Sequence, residues 1–364
     1  MGLFFMTKNK LHITFDKEIP KILFENNISV IFSTYQAGRL MIIGSSDGYN
    51  IHQIPISYYK PMGIAIEENR IAVAGLNDVS FYTYHDHVIN SIKPNKDKLD
   101  RMYLYRASYN TSTLDIHDID FDKTGLWGVN TLFSCLCKFT LAYNFSPKWK
   151  PYFISEILPE DRCHLNGLAL ENGYPKYVSA LSATDTKGGW RKDIMNTGII
   201  MDVEENKIIC DGLGMPHSPR IIDGELYFLE SARGRLFKWN KEKKQKELIY
   251  DFNRFVRGIK HYKGILLVAF SKIRKSSKSF QKVEVKKNST HAGFIVFDLR
   301  TKTPFGELLY EDTIDEVFDI NVIDGARKPG IITNLNKKHK SVIVTPRDVF
   351  FRKNEEKDNK EKKK

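Results

Sequence analysis

Cysteine is scarce: four in 364 residues, at Cys135, Cys137, Cys163 and Cys210. That is too few for a disulfide framework in a chain this long, and the spacing lacks zinc-finger pairing. Long apolar runs are missing as well, since none approaches the roughly 18 residues a membrane helix requires. The opening Met1-Gly2-Leu3-Phe4-Phe5-Met6 is apolar but very short and has no basic segment before it. It makes a poor secretory signal, so a cytoplasmic protein is expected, with no membrane partner. Amphipathic helical runs longer than two turns are hard to find. A Walker loop, a Rossmann glycine fingerprint, an HExxH helix and a nucleophile elbow are not found.

Charge is present in excess of one sign. The formal charge is +12, much of it in Lys241 to Lys246, Lys272 to Lys287 and the terminal Arg352 to Lys364. Such runs read as solvated loops and tails, and no nucleic-acid module accompanies them, so no specific nucleic-acid partner is expected. The last dozen residues, almost free of apolar side chains, are expected to be disordered.

What the chain does have is a phrase that returns about every fifty residues, the period of a propeller or solenoid. It pairs a polar–Gly/Asp–apolar step with a turn and a second apolar strand. It reads Pro61-Met62-Gly63-Ile64-Ala65-Ile66, Ile116-His117-Asp118-Ile119-Asp120-Phe121 and Leu165-Asn166-Gly167-Leu168-Ala169-Leu170. It returns as Pro216-His217-Ser218-Pro219-Arg220-Ile221, Val256-Arg257-Gly258-Ile259-Lys260 and Val317-Phe318-Asp319-Ile320-Asn321-Val322. Between the phrases run short segments rich in aromatic and β-branched residues, such as Ile28 to Tyr35, Leu226 to Glu230 and Ile265 to Phe270. Turn signals such as Asp223-Gly224, Lys263-Gly264 and Asp324-Gly325 separate them.

The pattern predicts an all-β chain folded as a single β-propeller of six four-stranded blades, with seven as the alternative. The propeller is expected over residues 21–350, after an extension at 1–20 and before a lysine-rich tail at 351–364. Strands between Ile28 and Ile56 are placed to complete the last blade and close the ring. The widest gap, from Arg257 to Phe318, holds the Ser271 to Asn288 stretch, which reads as an insertion between blades.

Asp115-Ile116-His117-Asp118, Asn130 to Leu136 (NTLFSCL), Cys163 to Ala169 (CHLNGLA) and Met215 to Arg220 (MPHSPR) resemble the signature motifs of a bacterial conserved-hypothetical family, a domain of unknown function. The resemblance runs from about Ser33 to Pro329 and brings no established activity. The Asn166-Gly167-Leu168-Ala169 phrase is more distantly similar to the inner strand of gluconolactonase and regucalcin-like six-bladed propellers. That resemblance implies a divalent metal on the central axis with Asn166 as a ligand. By phrase position, His117, His217 and Met62 stand where the family has Asn, Asp and Glu.

Two imidazoles with an amide suit a divalent transition metal better than calcium, so His117, Asn166 and His217 are the expected metal ligands. Such a metal would polarise a carbonyl or activate water. A metal-free substrate pocket and a structural network around buried water are the other readings of the same residues. Asp118, Glu230 and Arg257 are the candidate catalytic groups: Glu230 as a general base or as the partner of Arg233, Arg257 as a fork for a carboxylate or phosphate. His164, Arg220, Asp185, Trp190 and Arg191 are the candidate substrate-binding groups. The last three lie in the Thr184 to Arg191 loop, a candidate lid over the channel. Cys135 and Cys163 read as core cysteines, because adjacent Cys163 and His164 on a strand would point to opposite faces. Two functions follow. One is metal-assisted hydrolysis or isomerisation of a small polar or anionic ligand. The other is a non-catalytic propeller that binds a peptide, glycan or protein on its top face.

Overall fold

The computed structural model describes residues 11–91, 99–273 and 279–352. Each of the six phrases becomes the innermost strand of its own sheet: Ile64–Glu67, Ile116–Asp122, Leu165–Glu171, Pro216–Ile222, Val256–Tyr262 and Ile320–Asp324. These strands touch one another in sequence order, and the sixth touches the first, so they form a closed ring about one axis. The fold is therefore a six-bladed propeller; the seven-bladed alternative does not occur.

Local chemistry sets each blade. Two-residue loops join the first and second strands of blades four and five at Asp223-Gly224 and Lys263-Gly264. All four residues have positive φ, the geometry of a type I′ hairpin, which glycine adopts without strain. The apolar residues of each blade pack against those of the next. One core fills the space between blades six and one around Ile31, Ile42, Ile71 and Tyr82. Another lies between blades five and six around Met41, Phe294 and Tyr310.

Closure follows the expected plan. Ile28–Thr34 pairs antiparallel with Ile320–Asp324 in the register Val30 to Val322, so the N-terminal strands through His52–Ser57 supply three strands of blade six. The two ends of the propeller are thereby tied by a ladder of backbone hydrogen bonds.

Three features differ from expectation. The Ser271 to Asn288 stretch is not between blades; it lies inside blade five, between Ile265–Phe270 and Ala292–Asp298. Its Val283 and Val285 are buried against Trp190, Ile194 and Phe255, because an apolar pair within a lysine-rich run can anchor that run over a neighbouring blade. Part of the expected 1–20 extension joins the propeller: Ile13–Phe15 pairs with the outer strand of blade five. The helix Glu18–Glu25, with Pro20 in its first turn, buries Ile19 and Leu23. Finally, Pro329–Ile332 adds to the outer edge of blade one as a parallel strand, followed by a small hairpin, Val342–Val344 with Val349–Phe351. Of the expected tail, only Phe351 and Arg352 are described; the rest lies outside the described residues.

Candidate functional site

The six phrases alternate in kind around the axis. Blades one, three and five carry Met62-Gly63, Asn166-Gly167 and Arg257-Gly258; blades two, four and six carry His117-Asp118, His217-Ser218 and Phe318-Asp319. The glycines are contact points. A Cβ on Gly63 would lie 3.0 Å from the Asp118 backbone, and one on Gly258 3.2 Å from Asp319 Cα. One on Gly167 would lie 2.5 Å from the Pro219 ring and 3.0 Å from Ser218 N. Glycine in odd blades thus lets the next even blade close in. Gly167→Ala is expected to destabilise the protein by about 1–3 kcal/mol, the range for an overpacked site, read from the midpoint of urea unfolding at unchanged slope.

The even blades grip the backbone beside each glycine, at the residue after it in blades one and three and at the residue before it in blade five. Asp319 Oδ2 accepts from Ile64 N at 2.8 Å, and Asp118 Oδ2 accepts from Leu168 N at 3.0 Å. In blade four Ser218 takes the same place, its Oγ donating to Arg257 O at 2.8 Å. Asp118 is therefore an inter-blade clamp. It also receives Arg220 from blade four, at 2.9 Å and 3.4 Å to its two oxygens, and the same guanidinium lies 3.9 Å from Asp319. Arg220 further donates to Leu168 O and Pro219 O. Three alternate blades meet in this buried cluster across the middle of the channel. Burial, then the Asp118 charge, raises the pKa of Asp319.

Above the cluster, at the end where the inner strands begin, lie the imidazoles. His117 Nδ1 is 3.0 Å from Asp115 O and 2.8 Å from Thr131 Oγ1, and that hydroxyl donates to Leu165 O. His217 repeats the arrangement, with Nδ1 2.9 Å from Met215 O and 2.9 Å from Ser231 Oγ. A carbonyl can only accept, so Nδ1 carries the proton in both rings and Nε2 keeps a lone pair. Among the described residues neither Nε2 has a hydrogen-bond partner. Burial above all pulls both imidazoles down, His117 to about 3 with His164 adding to it, and His217 well below its usual value with Arg257 adding to it. Both rings are neutral near pH 7.

Aromatic and cationic groups complete this mouth. The His117 ring meets His164 edge-on at 4.8 Å and Phe318 at 5.4 Å, although Phe318 comes from blade six. The Arg257 guanidinium lies over Phe318 at 4.3 Å and pairs with Glu316. Asn166 is buried, and among the described residues its Nδ2 has no hydrogen-bond partner. His164 stacks on Trp190 at 4.2 Å, and its Nδ1 is 2.9 Å from Asp161 Oδ1. Asp161 also accepts from Trp190 Nε1 at 2.8 Å and from Arg191 at 3.2 Å. Burial works against that carboxylate's charge, but these donors outweigh it and lower its pKa.

The structure thus brings His117, His164, Phe318 and Arg257 into direct contact, with His217 within their electrostatic reach and Trp190 and Arg191 at the rim. Asn166 holds the equivalent position in the blade between the two histidines. Four expected groups are engaged elsewhere. Glu230 accepts from Gly214 N at 2.8 Å and pairs with Arg233 at 2.7 Å. Asp185 ties its loop down through Arg162 at 2.6 Å and Ser155 N at 3.1 Å. Arg220 and Asp118 lie deeper, bound to each other. All four cysteines are buried and free, and burial raises the Cys135 and Cys163 thiols to about 12, as befits core residues. Asp161, Thr131 as a histidine partner, Ser231 and Glu316 are site residues that the motifs do not mark. The only hint was spacing: Thr131 and Ser231 each follow their histidine by 14 residues.

As a metal centre the donor set is incomplete in one respect. Among the described residues no group of three or more His, Cys, Asp or Glu side chains is placed to hold an ion. Among them, too, no helix is long and apolar enough to cross a membrane.

Among solved structures, the chain is similar to one from a nidogen/laminin complex, with a TM-score of 0.50 at 8% identity, covering 82% of this chain and 99% of that one. It also matches a streptogramin B lyase structure with a TM-score of 0.38 at 14% identity, covering 77% and 76%. The first likeness supports the fold alone. A search of the curated proteins found no match. Residues 17–332 match the model of the family described as a domain of unknown function, DUF4915, and the chain belongs to that family.

Proposed function

We propose that the upper mouth of the channel binds a small polyhydroxylated molecule carrying an anionic group. The observation that supports this reading is the pair of locked, neutral imidazoles at His117 and His217. Each offers an Nε2 lone pair to a ligand hydroxyl, and the unpartnered Nδ2 of Asn166 between them offers a donor. Arg257 supplies positive charge beside His217, and Phe318 and Trp190 offer apolar faces for the carbon skeleton. A general base works best with a pKa near the working pH. His117 lies far below that, and Asp118 and Glu230 are committed to arginines. Binding, with the imidazoles as acceptors, is therefore the role these residues are best suited to.

A metal is the second reading, and one observation favours it. Ligating histidines generally tie their other ring nitrogen to a carbonyl or carboxylate, as both do here. His117, His217 and Asn166 would hold the ion, which would supply Lewis acidity for hydrolysis or isomerisation of the same ligand. The nearby Arg257 cation opposes it.

One set of measurements separates the two. Elemental analysis of untagged protein and of His117→Ala and His217→Ala reads the metal. Titration of Trp190 fluorescence with sugar acids and polyol phosphates reads the ligand. The anion-site reading expects saturable binding in metal-free protein, weakened by about tenfold or more in either alanine variant, one lost hydrogen bond to a polar ligand. Stoichiometric metal that disappears in both variants would transfer the conclusion to the metal centre. Near-zero metal and no saturable binding would overturn both.

A further inference from the structure

The far end of the channel has an amine that the upper mouth does not use. A cavity of about 510 Å³ opens where the inner strands end, and Lys260, Asn321, Tyr84, Tyr103, Arg101 and Asp324 line it. Of its two cations, Arg101 is committed: it lies over Tyr84 at 4.0 Å and donates to Asp324 O at 2.6 Å and Gly325 O at 3.1 Å. Asn321 is committed too, donating to Ile64 O and accepting from Val322 N. The Asp324 carboxylate takes the Tyr262 hydroxyl at 2.8 Å. The Lys260 ammonium, only part-exposed, has no hydrogen bond or close ion pair among the described residues. A part-buried ammonium without a hydrogen-bonding partner is a costly arrangement.

We propose that this lower mouth is a second site, where the Lys260 amine forms an imine with a small aldehyde or ketone. Burial lowers the pKa of Lys260, and Arg220 adds to it, so more of the amine is unprotonated and nucleophilic. The Asp120 charge works against this lowering, but burial raises the pKa of Asp120 itself, so it is suited to carry a proton. The nitrogen attacks the carbonyl carbon, and a proton passes from nitrogen to oxygen to give a carbinolamine. That oxygen then leaves as water and the C=N bond forms, with no change in oxidation state. The site is independent of the upper mouth, which shares none of these residues.

Reductive trapping tests it. Full-length protein is incubated with glyoxylate or with propanal in the presence of cyanoborohydride near neutral pH. Labelled lysines are then located by peptide mass spectrometry. Lys260 should be modified severalfold faster than exposed Lys241 and Lys244, because burial leaves more of its amine unprotonated. The fast phase should vanish in Lys260→Arg. Faster labelling by glyoxylate would assign a carboxylate to the ligand, and equal rates a neutral carbonyl; both support the site. Labelling of Lys260 no faster than Lys241, or a fast phase that persists in the variant, would overturn it. The comparison within wild-type protein decides the matter even if the variant fails to fold.

Discussion

Replacing Arg220 with methionine is expected to cost about 3–5 kcal/mol of stability at neutral pH, the usual penalty for stranding buried charge. The guanidinium is the shared partner of Asp118 and, at longer range, Asp319, and it caps two carbonyls of blades three and four. Methionine fills similar volume but leaves two carboxylates facing each other across the axis. Arg220→Lys should recover only part of the loss, because one ammonium cannot reach both Asp118 oxygens and both carbonyls at once.

Stability measured by urea unfolding across pH distinguishes charge from packing. Asp319 has a folded pKa already raised above its usual 3.8. Its contribution is fully present below the unfolded value and is lost as pH rises through the raised one. Without Arg220, whose charge works against it, that rise should be larger. The gap between wild type and Arg220→Met should therefore narrow as pH falls. A constant gap at every pH would mean that the loss is steric and that the central cluster is not held by charge.

Acid should unfold the upper half of the channel by the opposite linkage. His117 and His217 have folded pKa values below the usual 6.5, so the stability they represent is present above that pH and lost below it. The loss extends down to about 3 for His117. Each neutral-held imidazole adds a slope of about 1.4 kcal/mol per pH unit within that window. Glutamine at both positions keeps polar side chains but cannot titrate. In His117→Gln/His217→Gln, stability between pH 6 and 4 should stop falling, and the opposing Asp319 contribution should emerge as a slight rise. An unchanged slope would show that the imidazoles become protonated without strain, and would remove the argument that they are neutral acceptors.

Much of this architecture was legible in the sequence. The phrases marked every inner strand, because a propeller repeats one supersecondary unit and each unit needs the same apolar face and the same turn. Ring closure by the N-terminal strands was legible for a related reason: the strands between Ile28 and Ile56 precede the first phrase, so no blade opened by a phrase contains them. The insertion was misplaced because its neighbours in sequence, Phe270 and Ala292, are adjacent strands of one blade; pairing register, not spacing, decides that.

The candidate site was legible as a list of polar residues but not as roles. His117, His217, Asp118 and Arg220 stand close together in their phrases. Whether a carboxylate faces a ligand or clamps a neighbouring strand depends on partners about 50 and 100 residues away, such as Leu168 and Arg220 for Asp118. Lys260 stood in the fifth phrase, at the step of Asp120 and Arg220, but spacing does not say whether an amine there finds a hydrogen-bonding partner.

By itself, then, the sequence determined the all-β class, the propeller repeat and the phrases that line the axis, since these follow from local periodicity and turn chemistry, while six blades against seven was settled by the closed ring of inner strands. Only the tertiary structure decided which of those residues are spent on each other and which are left with an open lone pair or a bare amine. Closing the ring brings alternate blades face to face, and a polar group in that narrow space takes whatever partner the opposite blade supplies.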